Sequence, residues 1–484
     1  VSCKTRGLFI ISKRGFHVSK VVREKHLNII ALLLQATEVT ARLIKEGKLS
    51  DCLVLFGDCQ ESAVALGSHI EKLYGMDTKT VKALEQYCEC LYQMSVALDE
   101  DVQVDVAYEA LEQAAKQIEE VYTEEFPDKK EVVFLPYKAS MWDSLESIWL
   151  SVSKDTSCRT YVVPIPYFDK NSDGSLGEMH YEGELYPEYV LITDWQSYKL
   201  EERKPDIVYI HNPYDNYNYV SSVHPRFYAK EIKKYTEKLV YVPYFILKEI
   251  EPTNQQDIEG MKHFIWTPGV IYSDEVILQS EKMKQIYINE YEKAAIEAKL
   301  IGNHVDRRYL ENKFKGTGSP KIEKVLRTKK EELDIPKEWL TLIQKKDGSW
   351  KNVILYNTGV SALLRYNEKW IEKLEDSLKV FEENQNKVTL LWRPHPLIET
   401  TMKSMRSQML QRYRKIKSRY IGERWGIYDD STDLNRAIAV SDVYYGDLSS
   451  VLNLCEVAGK KILLQDVYVK NGNDMTRFSS QREE

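Results

Sequence analysis

Two short stretches in the last third of the chain carry residue types suited to phosphate chemistry. Arg393-Pro394-His395-Pro396 follows directly on the apolar run 388–392. An apolar run bounded by prolines predicts a buried strand, so Arg393 and His395 are expected at its carboxyl end. The prolines fix the backbone and remove amide donors, which stiffens the loop. Arginine offers a fork of donors to a phosphate, and histidine offers charge or a proton. The plainer alternative is a salt bridge for Arg393 and a helix cap for His395. The second stretch is Ser441-Asp442-Val443-Tyr444-Tyr445-Gly446-Asp447-Leu448-Ser449-Ser450-Val451. It predicts a strand, a Gly-Asp turn and a Ser-Ser pair opening a helix. Free amides and hydroxyls at such a helix start suit an anion, although serine is also an ordinary N-cap. Asn357-Thr358-Gly359 closes an earlier strand and predicts a polar turn that can approach a ligand closely.

These three points need a sheet edge to hold them. Expected strands at 352–356, 388–392, 443–445 and 461–464 alternate with helices, one running from 359 through about 384. Upstream, candidate strands at 131–135, 160–164, 189–193, 206–210, 239–244 and 275–278 alternate with helical stretches such as 142–153 and 226–237. Such alternation predicts parallel sheets covered on both faces, with ligands beyond the carboxyl ends of the strands. Residues 1–128 show apolar positions at three and four, no proline before Pro127, and no chemical motif. Gly47 and Gly57 are read as punctuation between helices there. The expected organisation is α/β: a helical accessory domain (1–128), an N-terminal Rossmann-like domain on the acceptor side (129–340) and a C-terminal, donor-binding Rossmann-like domain (341–484).

Size and composition narrow the function. A chain of 484 residues exceeds one hydrophobic core, so two or three domains are expected. An apolar content of 43% with 29% charged residues fits an ordinary globular protein. A net charge of -7 argues against a general nucleic-acid binder. The seven cysteines are scattered, and Cys88-Glu89-Cys90 lacks the gap of a zinc knuckle, so reduced thiols and no metal are expected. The run Ile29-Ile30-Ala31-Leu32-Leu33-Leu34 is well short of the ~20 residues of a spanning helix, and no signal peptide is evident. A cytoplasmic protein, peripheral at most to the inner face of the membrane, is the expectation.

The order strand-Arg-x-His-Pro, then Ser-Asp-x-x-x-x-Asp-x-Ser-Ser at a following helix, resembles the CDP-glycerol glycerophosphotransferase family. Lys315-Gly316-Thr317-Gly318-Ser319-Pro320-Lys321-Ile322 resembles its Gly-x-Pro-Arg segment. Val353-Ile354-Leu355-Tyr356-Asn357-Thr358 and Ser273-Asp274-Glu275-Val276-Ile277-Leu278-Gln279-Ser280 resemble two of its strand elements. The resemblance spans roughly residues 205–465 and is most specific in the C-terminal third. It implies a bacterial GT-B-like pair of Rossmann-like domains that moves a polyol phosphate, glycerol phosphate first, from a CDP-linked donor. The acceptor would be a hydroxyl of a lipid-linked teichoic-acid-like or capsular polymer, with no cofactor or metal. His395 would be catalytic, and Arg393, Asn357, Thr358, Asp447, Ser449 and Ser450 would bind the donor.

One departure stands out. The family's His-Gly-Thr-Pro segment, whose histidine is its general base, aligns near 239–245, which holds no histidine. His211, His224 and His263 lie nearby, each with an ordinary structural hydrogen bond as its alternative. His211 follows the expected strand 206–210, so it is the first choice for the second catalytic residue, with His224 and Tyr214 on the acceptor side. The tyrosines between 209 and 244 would floor a polyol groove or fill a domain interface. The basic segment 402–419 would meet anionic lipid or the polymer, or would form an outer solvated helix. Two other functions stay open: a GT-B glycosyltransferase using a nucleotide sugar, and a non-catalytic polymer-binding member.

Overall fold

The computed structural model describes residues 18–75, 77–298, 306–345 and 347–465. The chain divides into two compact units. The first takes in the chain up to Glu131 with Thr156–Arg159 and Leu200–Pro205, and the second holds the remaining segments.

In the first unit the three-four apolar spacing becomes four helices: α1 (Lys20–Lys45), α2 (Leu49–Tyr74), α3 (Lys79–Glu100) and α4 (Val104–Glu125). Their facing stripes bury Ile30, Leu33, Phe56, Leu66, Tyr87, Met94, Leu111 and Ile118. Each such side chain contributes about 1.5–3 kcal/mol on leaving water. Gly47, at φ +71°, ends α1 in a Schellman turn, with Lys48 N–H on Leu43 O at 2.9 Å and Gly47 N–H on Ile44 O at 3.0 Å. Gly57 does not punctuate: it lies inside α2, where helix packing outweighs its weak propensity. The helical α1 is also longer than the apolar run suggested, and by length and composition alone it is apolar enough to cross a membrane.

The second unit contains two parallel sheets. The first is built from β1 (Lys130–Leu135), β2 (Cys158–Val162), β5 (Ile207–Ile210), β7 (Lys238–Tyr241), β8 (Glu275–Ile277) and β9 (Phe314–Lys315), in the order β2-β1-β5-β7-β8-β9. Beside it β3 (Tyr167–Lys170), β4 (Leu176–His180) and β6 (Ser221–Val223) form a small antiparallel sheet. The expected strand at 189–193 does not form and leaves one isolated bridge, Val162 to Ile192. The expected helix at 226–237 is cut into three short turns, the first opening on Pro225.

The second sheet runs β12-β11-β10-β13-β14 and every ladder is parallel. Its strands are β10 (Asn352–Thr358), β11 (Val388–Pro394), β12 (Ile427–Tyr428), β13 (Val443–Gly446) and β14 (Lys461–Leu464). Val353, Leu355, Leu391 and Tyr444 are buried in this domain's core, with Trp370 and Trp392 in an adjoining cluster. The expected helix after Gly359 breaks at Asn367, at φ +49°, into Val360–Tyr366 and Glu368–Glu383. The architecture is α/β: two Rossmann-like parallel sheets with their helices, and an N-terminal helical region.

Candidate functional site

Register fixes the centre of the C-terminal edge. Asn357 on β10 stands opposite Arg393 on β11 and Gly446 on β13. The Asn357 side chain joins the flanking strands: Nδ2 donates to Arg393 O at 2.9 Å, and Oδ1 accepts from Ser449 Oγ at 2.8 Å. Ser449 is the N-cap of the helix Ser450–Val457, yet its hydroxyl makes no cap hydrogen bond because Asn357 takes it. Leu452 N–H bonds Ser449 O at 3.1 Å, so the amides of Ser450 and Val451 are the ones left to a ligand or to water. Ser450 is partly exposed beside them. Thr358 is buried, with its hydroxyl accepting from Trp392 Nε1 at 3.2 Å. It gives its backbone oxygen to His395 N–H at 2.9 Å.

Asn357 and Thr358, expected to touch the donor, are thus buried with their polar atoms bonded inside the protein, and two more such residues are bound inward as well. Arg393 is 7% exposed, pairs with Asp429 and donates to Ser431 O at 2.8 Å. Its fork braces the 429–431 turn, because a buried guanidinium needs a carboxylate to offset lost hydration. Asp447 is 3% exposed and accepts from Gly359 N–H at 2.7 Å, Trp370 Nε1 at 3.2 Å and Lys373 Nζ at 2.5 Å. It fastens the β10 turn to the helix Glu368–Glu383 and has no oxygen to offer a donor hydroxyl.

His395 keeps one face open. Its Nδ1 accepts Leu397 N–H at 3.1 Å, so the neutral ring carries its proton on Nε2, which has no partner among the described residues. Burial, helped by the Lys138 ammonium, lowers its pKa to about 4. At neutral pH His395 is thus an uncharged Nε2–H donor at the sheet edge. It can polarise a phosphate oxygen but holds no spare proton charge.

His211 does not reach the cleft edge. It is fully buried; Nε2 accepts Tyr137 N–H at 3.0 Å, and Nδ1 meets Ser144 Oγ at 2.9 Å. Burial, then the Lys321 charge, lowers its pKa to about 3. With both nitrogens holding the 137–144 loop, it has no lone pair for an acceptor hydroxyl, which corrects its assignment as the second catalytic residue. His224 is likewise a local cap, with Nδ1 accepting Arg226 N–H at 3.2 Å and its ring against Trp195. Tyr214 sits in a turn closed by its own N–H on Asn212 Oδ1 at 3.1 Å. Part of the tyrosine group packs around His211, with Tyr137 and Tyr244 rings 5.4 and 6.0 Å away, while Tyr217 and Tyr219 are exposed.

A buried cation not singled out in the sequence is Lys138, three positions after the end of β1 at Leu135. It is 5% exposed and its Nζ lies 4.2 Å from the centre of the Tyr167 ring. A cation in a loop just after a strand was the available signal, the same one that drew attention to Arg393. Nearby, Asp143 accepts from Lys321 Nζ at 2.5 Å and Asn435 Nδ2 at 3.3 Å, linking the two Rossmann-like halves.

The basic segment 402–419 spans two helices, Ile398–Met405 and Ser407–Glu423, not one. Arg412 pairs with Glu375, Arg414 and Lys417 with Glu399, and Arg419 with Glu423, so much of its charge is spent within the protein. Asp169, Glu178 and His180 place ligand atoms within 4.8 Å of one another and are the one such group among the described residues.

No protein-family model and no curated protein matches the chain. Among solved structures, it is similar to UDP-GlcNAc 2-epimerase of Methanocaldococcus jannaschii in complex with UDP-GlcNAc and UDP (11% identity, 69% of this chain and 83% of that one, TM-score 0.40). It is similar to the Neisseria meningitidis UDP-GlcNAc 2-epimerase bound to UDP-GlcNAc (12% identity, 69% and 82%, TM-score 0.40). A third is alpha,alpha-trehalose 6-phosphate synthase of Burkholderia multivorans (11% identity, 69% and 83%, TM-score 0.31). These neighbours are enzymes by their names, and at such scores nothing about this chain's chemistry is drawn from them.

Proposed function

We propose that the chain is a transferase that moves a polyol phosphate, glycerol phosphate first, from a CDP-linked donor to a hydroxyl of a teichoic-acid-like or capsular polymer at the inner membrane face. One observation carries the reading: Asn357 draws the His395 loop and the start of the Ser450–Val457 helix together at one sheet edge. That edge offers donors, the His395 Nε2–H, the Ser450 hydroxyl and the first helix amides, which is what a diphosphate needs.

In the reaction the oxygen of the acceptor hydroxyl bonds to the glycerol-bearing phosphorus and its proton passes to water, while the bond from that phosphorus to the bridging oxygen breaks and CMP leaves with that oxygen. The helix amides and Ser450 hold the phosphate next to the nucleoside. His395 Nε2–H stabilises charge gathering on a phosphoryl oxygen. Arg393 and Asp447 act behind them by fixing the loop and turn. Positioning and charge compensation supply most of the acceleration.

The test is CMP release from CDP-glycerol with a polyol-phosphate acceptor, run beside CDP-ribitol and UDP- and GDP-sugars. CMP release from a CDP-polyol that is lost in His395→Ala supports the proposal. Turnover of a UDP- or GDP-sugar alone overturns the donor assignment in favour of glycosyl transfer. Binding of a CDP-polyol without turnover identifies a non-catalytic binder.

A further inference from the structure

The hairpin of β3 and β4 brings three metal-ligating side chains to one face. Positions two apart on a strand share a face. Tyr167 stands opposite His180, so Asp169 on β3 and Glu178 on β4 fall on the same side as His180. The register shifts between Phe168 and Lys170, where Asp169 faces both Gly177 and Glu178. Such bulges re-aim side chains. As a result a carboxylate oxygen of Asp169, one of Glu178 and a ring nitrogen of His180 all lie within 4.8 Å of one another.

An ion pair alone does not explain the group. His180 Nε2 comes to 3.1 Å from Asp169 Oδ2, yet Nε2 is a buried atom with no hydrogen-bond partner among the described residues. The two atoms are close without pointing at one another. Two ligands of one ion stand like that: at ~2.1 Å from a tetrahedral ion they are about 3.4 Å apart, each aimed at the metal. The His180 ring stacks on Tyr167, 5.2 Å away, and the Tyr167 hydroxyl is fixed on Glu182 at 2.6 Å. Glu178 is 68% exposed and pairs loosely with Lys403 at 4.0 Å, a surface contact of small worth, so its side chain can swing inward. The Lys138 ammonium over the Tyr167 ring opposes a second cation here. Asp169, Glu178 and Glu182 together outnumber Lys138 and Lys403.

We infer that Asp169, Glu178 and His180 bind one divalent transition ion of the zinc type through two oxygens and a nitrogen. Three protein ligands leave a coordination position for water or for an oxygen of a ligand. The imidazole favours zinc and its neighbours over magnesium and calcium, which take oxygen ligands. Cysteine spacing gave no sign of the site because its ligands are a histidine and two acids. The inference does not rest on the transferase reading, since ion binding is measured without any donor.

The experiment is calorimetry of the full chain with Zn2+, together with the absorption spectrum of its Co2+ complex. Wild type should take one ion per chain, and Co2+ should show visible d–d bands without a thiolate charge-transfer band. His180→Ala and Asp169→Asn should each weaken the Kd for Zn2+ by at least ~10- to 100-fold, the loss that even an outer-shell partner brings. Glu178→Gln, at an exposed side chain, should weaken it by about 10-fold. Met179→Ala, on the opposite face of β4, should leave it unchanged. A chain that takes up no Zn2+ overturns the inference, as does an affinity unaltered in both His180→Ala and Asp169→Asn or a Co2+ spectrum dominated by thiolate bands. A loss in Met179→Ala as large as in Glu178→Gln also overturns it, because the effect would then belong to the hairpin's fold and not to its ligands.

Discussion

His211 and His395 occupy matching places: each follows the carboxyl end of a parallel strand, β5 for the first and β11 for the second. Both rings are neutral at pH 7, pushed to about 3 and about 4 chiefly by burial. Their surroundings separate them. His211 spends both nitrogens on Tyr137 and Ser144, so it is a fastener. His395 spends one nitrogen on Leu397 and keeps the other. Position at a strand end brings a histidine to a sheet edge; the count of free ring nitrogens decides whether it can meet a ligand.

The contrast can be broken most severely through the turn beneath His395. Asp447→Ala leaves Lys373 buried without its partner and should cost about 3–5 kcal/mol, read from chemical unfolding, with donor binding lost alongside. His395→Ala should lower CMP release by ~100- to 1000-fold, the loss seen when one preorganised donor to a developing charge is removed. Its stability should shift by about 1 kcal/mol, since one part-buried hydrogen bond is given up. His211→Ala should do the opposite, destabilising by roughly 2–3 kcal/mol through unpaired neighbours and a cavity, with kcat of the folded fraction retained. Equal rate losses in the two variants would erase the distinction.

Acid sharpens the same pair. A histidine whose folded pKa lies below its unfolded value binds its proton first in the unfolded chain. Wild-type stability should therefore fall as pH drops through the window from about 6.5 towards 3, by up to ~1.4 kcal/mol per pH unit for each such group. His211→Gln should flatten this acid limb in urea titrations at pH 4–7. The smallest effect expected is that of Ser450→Ala: a few-fold weaker CDP binding at unchanged Tm, because its hydroxyl is partly exposed at the helix start.

The parallel strands and their edge were legible because apolar runs and proline punctuation are local signals. Asn357, Thr358, His395, Ser449 and Ser450 could be placed at that edge for that reason, though not what each would bind. The fates of Arg393 and Asp447 were not legible, since their partners Asp429 and Lys373 lie 36 and 74 positions away. A lone sequence does not say which of two flexible cations a carboxylate will select. The antiparallel β3-β4-β6 sheet was missed for a related reason: its strands are very short, and β6 joins β3 and β4 only after the chain has passed through β5 of the neighbouring sheet. His211 was misread because its strand-end position was visible while the 137–144 loop that covers it was not.

The Asn357 amide gives the site a polarity that a shape-preserving change would reverse. Its nitrogen faces a carbonyl and its oxygen faces a hydroxyl, so the group fits in one orientation. Asn357→Asp, differing by one atom, would set oxygen against the Arg393 carbonyl and drive the two strand ends apart. The amide works as a keyed joint, and a chain that keeps every phosphate-facing residue but loses this nitrogen would hold its loops in the wrong spacing.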